Sequence, residues 1–62
     1  MVMTNIIEIV TTLQKEGSKI DAAISNGRVF ICYAGNVYDI TTASLSDQLR
    51  LIVQLLNDEF FG

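Results

Sequence analysis

Two short apolar segments separated by Asn26-Gly27 constrain the fold of this 62-residue chain more than any other feature. Both residues of such a dipeptide accept a positive φ, which favours a two-residue β-hairpin loop. A loop at this position pairs Ile24 with Val29, and the next two pairs along the hairpin are again apolar or aromatic: Ala22 with Ile31, and Ile20 with Tyr33. A slip by one residue would break this match. The pattern therefore predicts a hairpin formed by residues 19–25 and 28–34.

A second tight turn is predicted at Gly35-Asn36, because both residue types are common in turns. A third strand over residues 37–41 would then pair Tyr33 with Tyr38 and Ile31 with Ile40, and Asp39 would lie across from Cys32. The prediction is a three-stranded antiparallel meander with one apolar face. The side chains expected on that core face are Ile20, Ala22, Ile24, Val29, Ile31, Tyr33, Tyr38 and Ile40.

Residues 5–16 predict a first helix, because apolar residues recur there at the i, i+3, i+4, i+7 spacing of an amphipathic helix. The positions that carry this pattern are Ile6, Ile9, Val10 and Leu13. Asn5 can act as the N-cap with Glu8 three residues later, and Gly17 can end the helix. Many residues of the segment are β-branched, which lowers helix propensity, so a strand is the alternative interpretation.

Ser44 is predicted to open a second helix, with Asp47 as its capping partner three residues later. The expected core stripe of this helix is Leu45, Leu49, Ile52, Val53, Leu56 and Phe60. Leu51 and Leu55 widen the apolar arc to about 200° at 100° per residue. One sheet face does not need so wide an arc, so this flank is expected to contact the first helix or another molecule.

The predicted architecture is α-β-β-β-α in the α+β class, with two helices packed on one face of the meander. Residues 1–62 form one small domain, and domains of this size are marginally stable without an added staple. The chain has one cysteine and no histidine, so neither an intramolecular disulfide nor a zinc site is available, and no cofactor is expected. A homo-oligomer or a complex with a larger protein is therefore expected.

The formal net charge is −3, and the basic residues are spread out as Lys15, Lys19, Arg28 and Arg50. Binding to a phosphate backbone requires a basic patch, so direct nucleic-acid binding is disfavoured. The apolar stretch from Val2 to Val10 is too short to span a bilayer and has no basic residue before it, which argues against a secretory signal. A single thiol suits a reducing compartment, so the expected location is cytoplasmic.

No catalytic residue is predicted. Cys32 is the only thiol, and the chain has no histidine to activate it. Asp21 and Asp39 are expected on the same non-core sheet face, but surface carboxylates are usually solvated and carry no chemistry. Asp58 and Glu59 are adjacent on a helix, so their side chains point apart.

The non-core sheet face has an unusual composition. An antiparallel sheet with one solvated face is normally polar on that side, yet here apolar residues are surrounded by Asp21, Arg28, Asp39 and Thr41. Such a patch is typical of a binding surface. The alternatives are a terminal segment that covers the face or a different strand register. The residues predicted to form a protein interface are Phe30, Cys32, Val37, Leu51, Leu55 and Phe61.

These features favour a non-enzymatic protein-interaction module that works as a small oligomer, or as an inhibitor or modulator of a larger protein. A short acidic chain without site chemistry suits a phage or mobile-element accessory factor, such as an anti-defence inhibitor. One alternative is a small dimeric transcriptional or toxin-antitoxin regulator, although a basic helix is missing. The other is a non-catalytic or accessory enzyme subunit that contributes Asp21 or Asp39 to a shared site.

Overall fold

A computed structural model describes residues 6–62, which form two helices and three strands in the predicted order. The elements are α1 (Ile6–Lys15), β1 (Asp21–Ser25), β2 (Arg28–Tyr33), β3 (Asn36–Asp39) and α2 (Leu45–Phe61). The strands make one antiparallel sheet in the order β1-β2-β3. The α-β-β-β-α architecture and the α+β class are thus confirmed. Asn5, the predicted N-cap of the first helix, lies outside the described residues.

The hairpin of β1 and β2 forms in the predicted register. Asn26 and Gly27 both adopt positive φ values, 54° and 77°, and Ile24 pairs with Val29. The paired segment also joins Ala22 to Ile31 and ends at Asp21 opposite Cys32. Ile24 adjoins the turn and is exposed, so its predicted place in the core is wrong.

The second hairpin turn lies one residue earlier than predicted. Ala34 and Gly35 occupy the two loop positions with φ values of 53° and 81°, and Tyr33 pairs with Asn36. Ile31 consequently lies opposite Tyr38 rather than Ile40. Because the partner changes by two residues, every side chain keeps its predicted face. The displaced Ile40 follows β3, donates its N–H to the Val29 carbonyl at 2.9 Å and is buried.

Two of the three helix ends predicted from capping residues lie in the described part of the chain, and both are present. Gly17 has a φ of 103° and ends α1 in a Schellman motif. In this motif the Ser18 N–H donates to the Leu13 carbonyl at 3.0 Å, and the Gly17 N–H donates to the Gln14 carbonyl at 3.1 Å. Ser44 is the N-cap of α2, and its hydroxyl accepts from the Asp47 N–H at 3.1 Å.

The core lies between the helices and one face of the sheet, which we call the inner face. Among the described residues, seven hydrophobic side chains are buried, and five of them are isoleucine. They are Ile6, Val10, Ile20, Ile31, Ile40, Ile52 and Leu55. The buried set is wholly aliphatic, and the tyrosines Tyr33 and Tyr38 pack at its edge. Both helices therefore cover the same sheet face.

The orientation of α2 differs from the prediction. Ile52 and Leu55 are the buried residues of this helix, whereas Leu45, Leu49, Val53 and Phe60 are exposed. The predicted core stripe is therefore wrong for these four positions. The reason is that Gln48 and Glu59 share the buried side with Ile52 and Leu55, within about 60° of arc at 100° per residue, and their polar groups bond to nearby loops.

Glu59 fastens the loop between α1 and β1 to the end of α2. Its Oε1 accepts from the Ser18 hydroxyl at 2.7 Å, and its Oε2 accepts from the Lys19 N–H at 2.6 Å. The Ser18 oxygen in turn accepts from the Ile20 N–H at 3.1 Å. Ser18 is buried, so this carboxylate satisfies a polar group that would otherwise lack a partner.

Two glutamine side chains satisfy backbone carbonyls at the ends of the sheet. Gln14 Nε2 donates to the Ile20 carbonyl at 3.0 Å, just before β1. Gln48 Nε2 donates to the carbonyls of Ile40 at 3.1 Å and Ala43 at 3.2 Å, between β3 and α2. Each helix therefore supplies an amide that meets the hydrogen-bonding needs of a connection it packs against.

Candidate interaction surfaces

The outer face of the sheet brings together the predicted contact residues of β2 and β3. Cys32 pairs directly with Val37 across the two strands, and Phe30 lies on the same face one row away, opposite Ala23. Phe30 and Cys32 are half-buried, and Val37 is 64% exposed. We call Ala23, Phe30, Cys32 and Val37 the outer sheet patch.

A charged network borders the outer sheet patch beside Phe30. Arg28 donates through Nε at 2.9 Å and Nη2 at 2.6 Å to one Asp39 oxygen, and Thr41 donates its hydroxyl at 2.6 Å and its N–H at 3.0 Å to the other. The hydrogen bonds from Thr41, followed by that from Arg28, lower the pKa of the Asp39 carboxyl from 3.8 to about 2. Since the ion pair is exposed, it fixes the shape of this border more than it stabilises the fold.

The two aspartates of the outer face do not converge. The shift of the second turn places Asp39 opposite Phe30, so the prediction that it faces Cys32 is wrong. Asp21 pairs with Cys32 instead, and its carboxylate accepts from Gln14 at 3.0 Å. Asp21 and Asp39 therefore occupy different rows on the two edge strands. In the described part of the chain, no group of three or more metal-binding side chains is placed to hold an ion.

A second apolar surface runs along α2. Leu45, Leu49, Val53, Leu56 and Phe60 fall within about 80° of helical arc, and we call them the helix stripe. Their exposed fractions are 51% for Leu45, 37% for Leu49, 62% for Val53 and 56% for Phe60, while Leu56 is half-buried against the core. Exposed apolar residues scattered singly are ordinary, but a continuous row of this length is typical of an interaction site.

The three α2 residues predicted as interface occupy different environments. Leu55 is 7% exposed and belongs to the buried core, on the same side of the helix as Ile52, which leaves it little surface for a partner. Leu51 is half-buried and packs against the core. Phe61 is 85% exposed and lies off the helix stripe, near the chain end.

Sequence reasoning assigned the helix stripe to the core, although the sequence holds a signal against that assignment. Gln48 and Glu59 are eleven residues apart, which places them on the same side of a helix as Ile52 and Leu55. Polar side chains at both ends of an apolar row can form hydrogen bonds with backbone groups of the loops that the helix covers. A row bounded in this way is a better core candidate than the wider stripe beside it.

Comparisons of the chain with known protein families, with curated proteins and with solved structures find no match. Within residues 6–62, no helix combines the length and the apolar character needed to cross a membrane. The helix stripe and the outer sheet patch are therefore the features of the molecule that bear on its function.

Proposed function

We propose that this protein is a non-enzymatic protein-interaction module, which acts as a small oligomer or as an inhibitor or modulator of a larger protein. The observation that carries the proposal is the helix stripe. Ile52 and Leu55 are the residues of α2 that are buried in the core, yet four further large apolar side chains of the same helix are 37–62% exposed to water. Burying them against another protein surface would be favourable.

The outer sheet patch supports the same proposal from the sheet side of the domain. Val37 is exposed beside half-buried Phe30 and Cys32, and the Arg28–Asp39 pair provides a polar border. An apolar centre with a polar rim is the usual composition of a protein interface. The domain thus offers one apolar surface on its helical side and another on its sheet side.

The polar residues favour binding over catalysis. The neighbours of Cys32 across the sheet are Asp21 and Val37, neither of which can activate a thiol by providing positive charge. Asp39 is held by Arg28 and Thr41, and Glu59 is held by the first loop. We further propose a cytoplasmic location, in keeping with the single thiol. The small size and acidity suit a phage or mobile-element accessory factor, such as an anti-defence inhibitor.

The proposal is tested by capture from native extract with the wild-type chain and two matched variants. Val53→Asp places a charge in the helix stripe, and Val37→Asp places the same charge in the outer sheet patch. Both valines are similarly exposed, 62% and 64%, so neither change should unfold the domain, which circular dichroism checks. We expect at least one variant to lose a protein that the wild type retains.

If the purified protein is a monomer and the wild type and both folded variants retain the same proteins in equal amounts, neither apolar surface serves recognition. The interaction-module proposal then fails.

A further inference from the structure

The helix stripe has the spacing of a coiled-coil seam. Leu49, Val53, Leu56 and Phe60 are separated by four, three and four residues, which is the d-a-d-a order of a heptad repeat. Leu45 extends the row by one more turn toward the start of α2. A seam of this kind is matched best by another helix that presents the same spacing.

We propose that a second copy of this chain covers the helix stripe, with the two α2 helices packed antiparallel about a twofold axis. This inference rests on the proposed interaction function and names the partner of one of its two surfaces. In this arrangement Leu49 packs beside Phe60 of the second copy, and Val53 packs beside Leu56. Each contact then occurs twice, as an isologous interface requires.

Side-chain size favours the antiparallel direction. The large ring of Phe60 is at one end of the helix stripe, and the smaller Leu45 and Leu49 are at the other. Antiparallel pairing places each ring against the leucines of the second copy, so the helices can remain evenly spaced. Parallel pairing would place ring against ring at one end and leucine against leucine at the other. Opposed helix macrodipoles also favour the antiparallel arrangement.

The charges beside the helix stripe are compatible with this pairing. Arg50 and Asn57 occupy the flank that faces the second copy, and antiparallel packing brings Arg50 of one chain near Asn57 of the other. A guanidinium can donate to an amide oxygen, so no like charges meet there. Asp47 and Asp58 lie about 160–180° from the centre of the stripe, on the far side of the helix. Glu59, the third acidic residue of α2, lies about 80° from the centre on the core-facing flank, where Ser18 and Lys19 hold its carboxylate.

The exposed area suits a weak dimer. With aromatic side chains of about 150–250 Å² and somewhat smaller aliphatic ones, the exposed fractions of the helix stripe leave on the order of 400 Å² per chain. Pairing two copies would bury about 800 Å² of these side chains, and the flanking Arg50 and Asn57 would raise the total toward the roughly 1,000 Å² at the lower end for a specific interface. The outer sheet patch is a poorer place for a second copy, because Val37 is its one large hydrophobic residue that is exposed, whereas the helix stripe has four.

The first test is the mass of the purified full chain, measured by light scattering and sedimentation over a wide concentration range. We expect a dimer of twice the 6.9 kDa chain mass that dissociates on dilution. Val53→Asp should remain folded and be monomeric throughout, while the matched Val37→Asp variant should dimerise like the wild type. A wild type that is monomeric at every concentration, or a Val53→Asp variant that still dimerises, overturns the proposal.

Cysteine cross-linking tests the direction of the helices. Two chains, one with Leu49→Cys and one with Phe60→Cys and both with Cys32→Ser, are mixed and oxidised, and the products are separated by mass. Antiparallel packing should give mainly the mixed 49–60 product. Predominant 49–49 and 60–60 products would overturn the antiparallel arrangement.

Failure of the dimer can be distinguished from failure of the broader function. If the wild type is a monomer but Val53→Asp loses a protein from native extract, the helix stripe binds a different partner. The second copy is then excluded, while the interaction function stands. If the wild type is a monomer and neither aspartate variant changes the captured proteins, both proposals fail.

Discussion

Replacement of Glu59 by alanine should destabilise the domain far more than its half-exposed surface position suggests. The carboxylate accepts two short hydrogen bonds from the loop before β1, one from the Ser18 hydroxyl and one from the Lys19 N–H. Hydrogen bonds to charged groups contribute about 1.5–3 kcal/mol each. Lys19 is exposed, so its N–H can bond to water after the substitution. The expected loss is therefore about 2–3 kcal/mol rather than the sum of two full bonds.

Urea and thermal unfolding followed by circular dichroism measure this loss. With a denaturant slope of about 1 kcal/mol/M for so small a domain, the urea midpoint should fall by about 2–3 M. The melting temperature should fall by roughly 8–24 °C. Protein concentration must be held constant, because association would make both midpoints depend on it.

Asp58→Ala is the matched control for the loss of the Glu59 carboxylate. It removes the same charge one residue earlier, and among the described residues its side chain makes no hydrogen bond. It should change stability by about 0.5 kcal/mol or less. Ser18→Ala should cost about 1–3 kcal/mol, since it leaves the buried Ile20 N–H without its acceptor. If Glu59→Ala and Asp58→Ala unfold at the same midpoint, the reasoning from the loop contacts is refuted.

Three further predictions concern the sheet. Folding lowers the pKa of Asp39, so its ionised form stabilises the fold above pH 3.8, and this contribution is lost as the pH falls toward about 2. Urea unfolding measured at several pH values should show a smaller acid-induced loss of stability for Asp39→Asn than for the wild type. The same dependence of stability on pH in both proteins would contradict this prediction. Ile31→Ala should lower the free energy of unfolding by about 2–5 kcal/mol, because the site is fully buried. This loss is enough to remove most of the folded circular-dichroism signal at 25 °C. Ala34→Gly should raise the melting temperature by a few degrees. A residue with a Cβ is disfavoured at a φ of 53° by about 1–2 kcal/mol, and the greater flexibility of glycine in the unfolded chain offsets only part of that gain. A lower melting temperature would contradict the strain argument.

The sequence predicted correctly those parts of the fold that short-range chemistry decides. Asn26-Gly27 fixes both the turn and the register of the first hairpin, and Ser44 and Gly17 set helix ends through bonds to residues within one or two turns. The second turn was misplaced because Ala34 adopts a conformation that its residue type disfavours. The longer sheet contacts therefore outweigh the local preference at that position.

The orientation of α2 could not be obtained from periodicity. Its apolar residues extend over an arc wider than one sheet face can bury, so several rotations of the helix place apolar side chains inward. The choice among them depends on Gln48, which bonds to the connection just before α2, and on Glu59, which bonds to a loop 41 residues earlier in the chain. Outer-patch residues such as Phe30 and Val37 were placed on one face correctly, because alternation in a strand leaves only two choices.

The wholly aliphatic core has a consequence for how this protein can change over evolution. None of the three phenylalanines belongs to the buried set: Phe30 lies on the outer sheet face, and Phe60 and Phe61 lie at the end of α2. The residues best suited to recognition are thus different from the isoleucines that hold the fold together. Substitutions at these aromatic positions would change the surface of the domain while the aliphatic packing that stabilises each chain stays intact. Surface and core can therefore be altered almost independently.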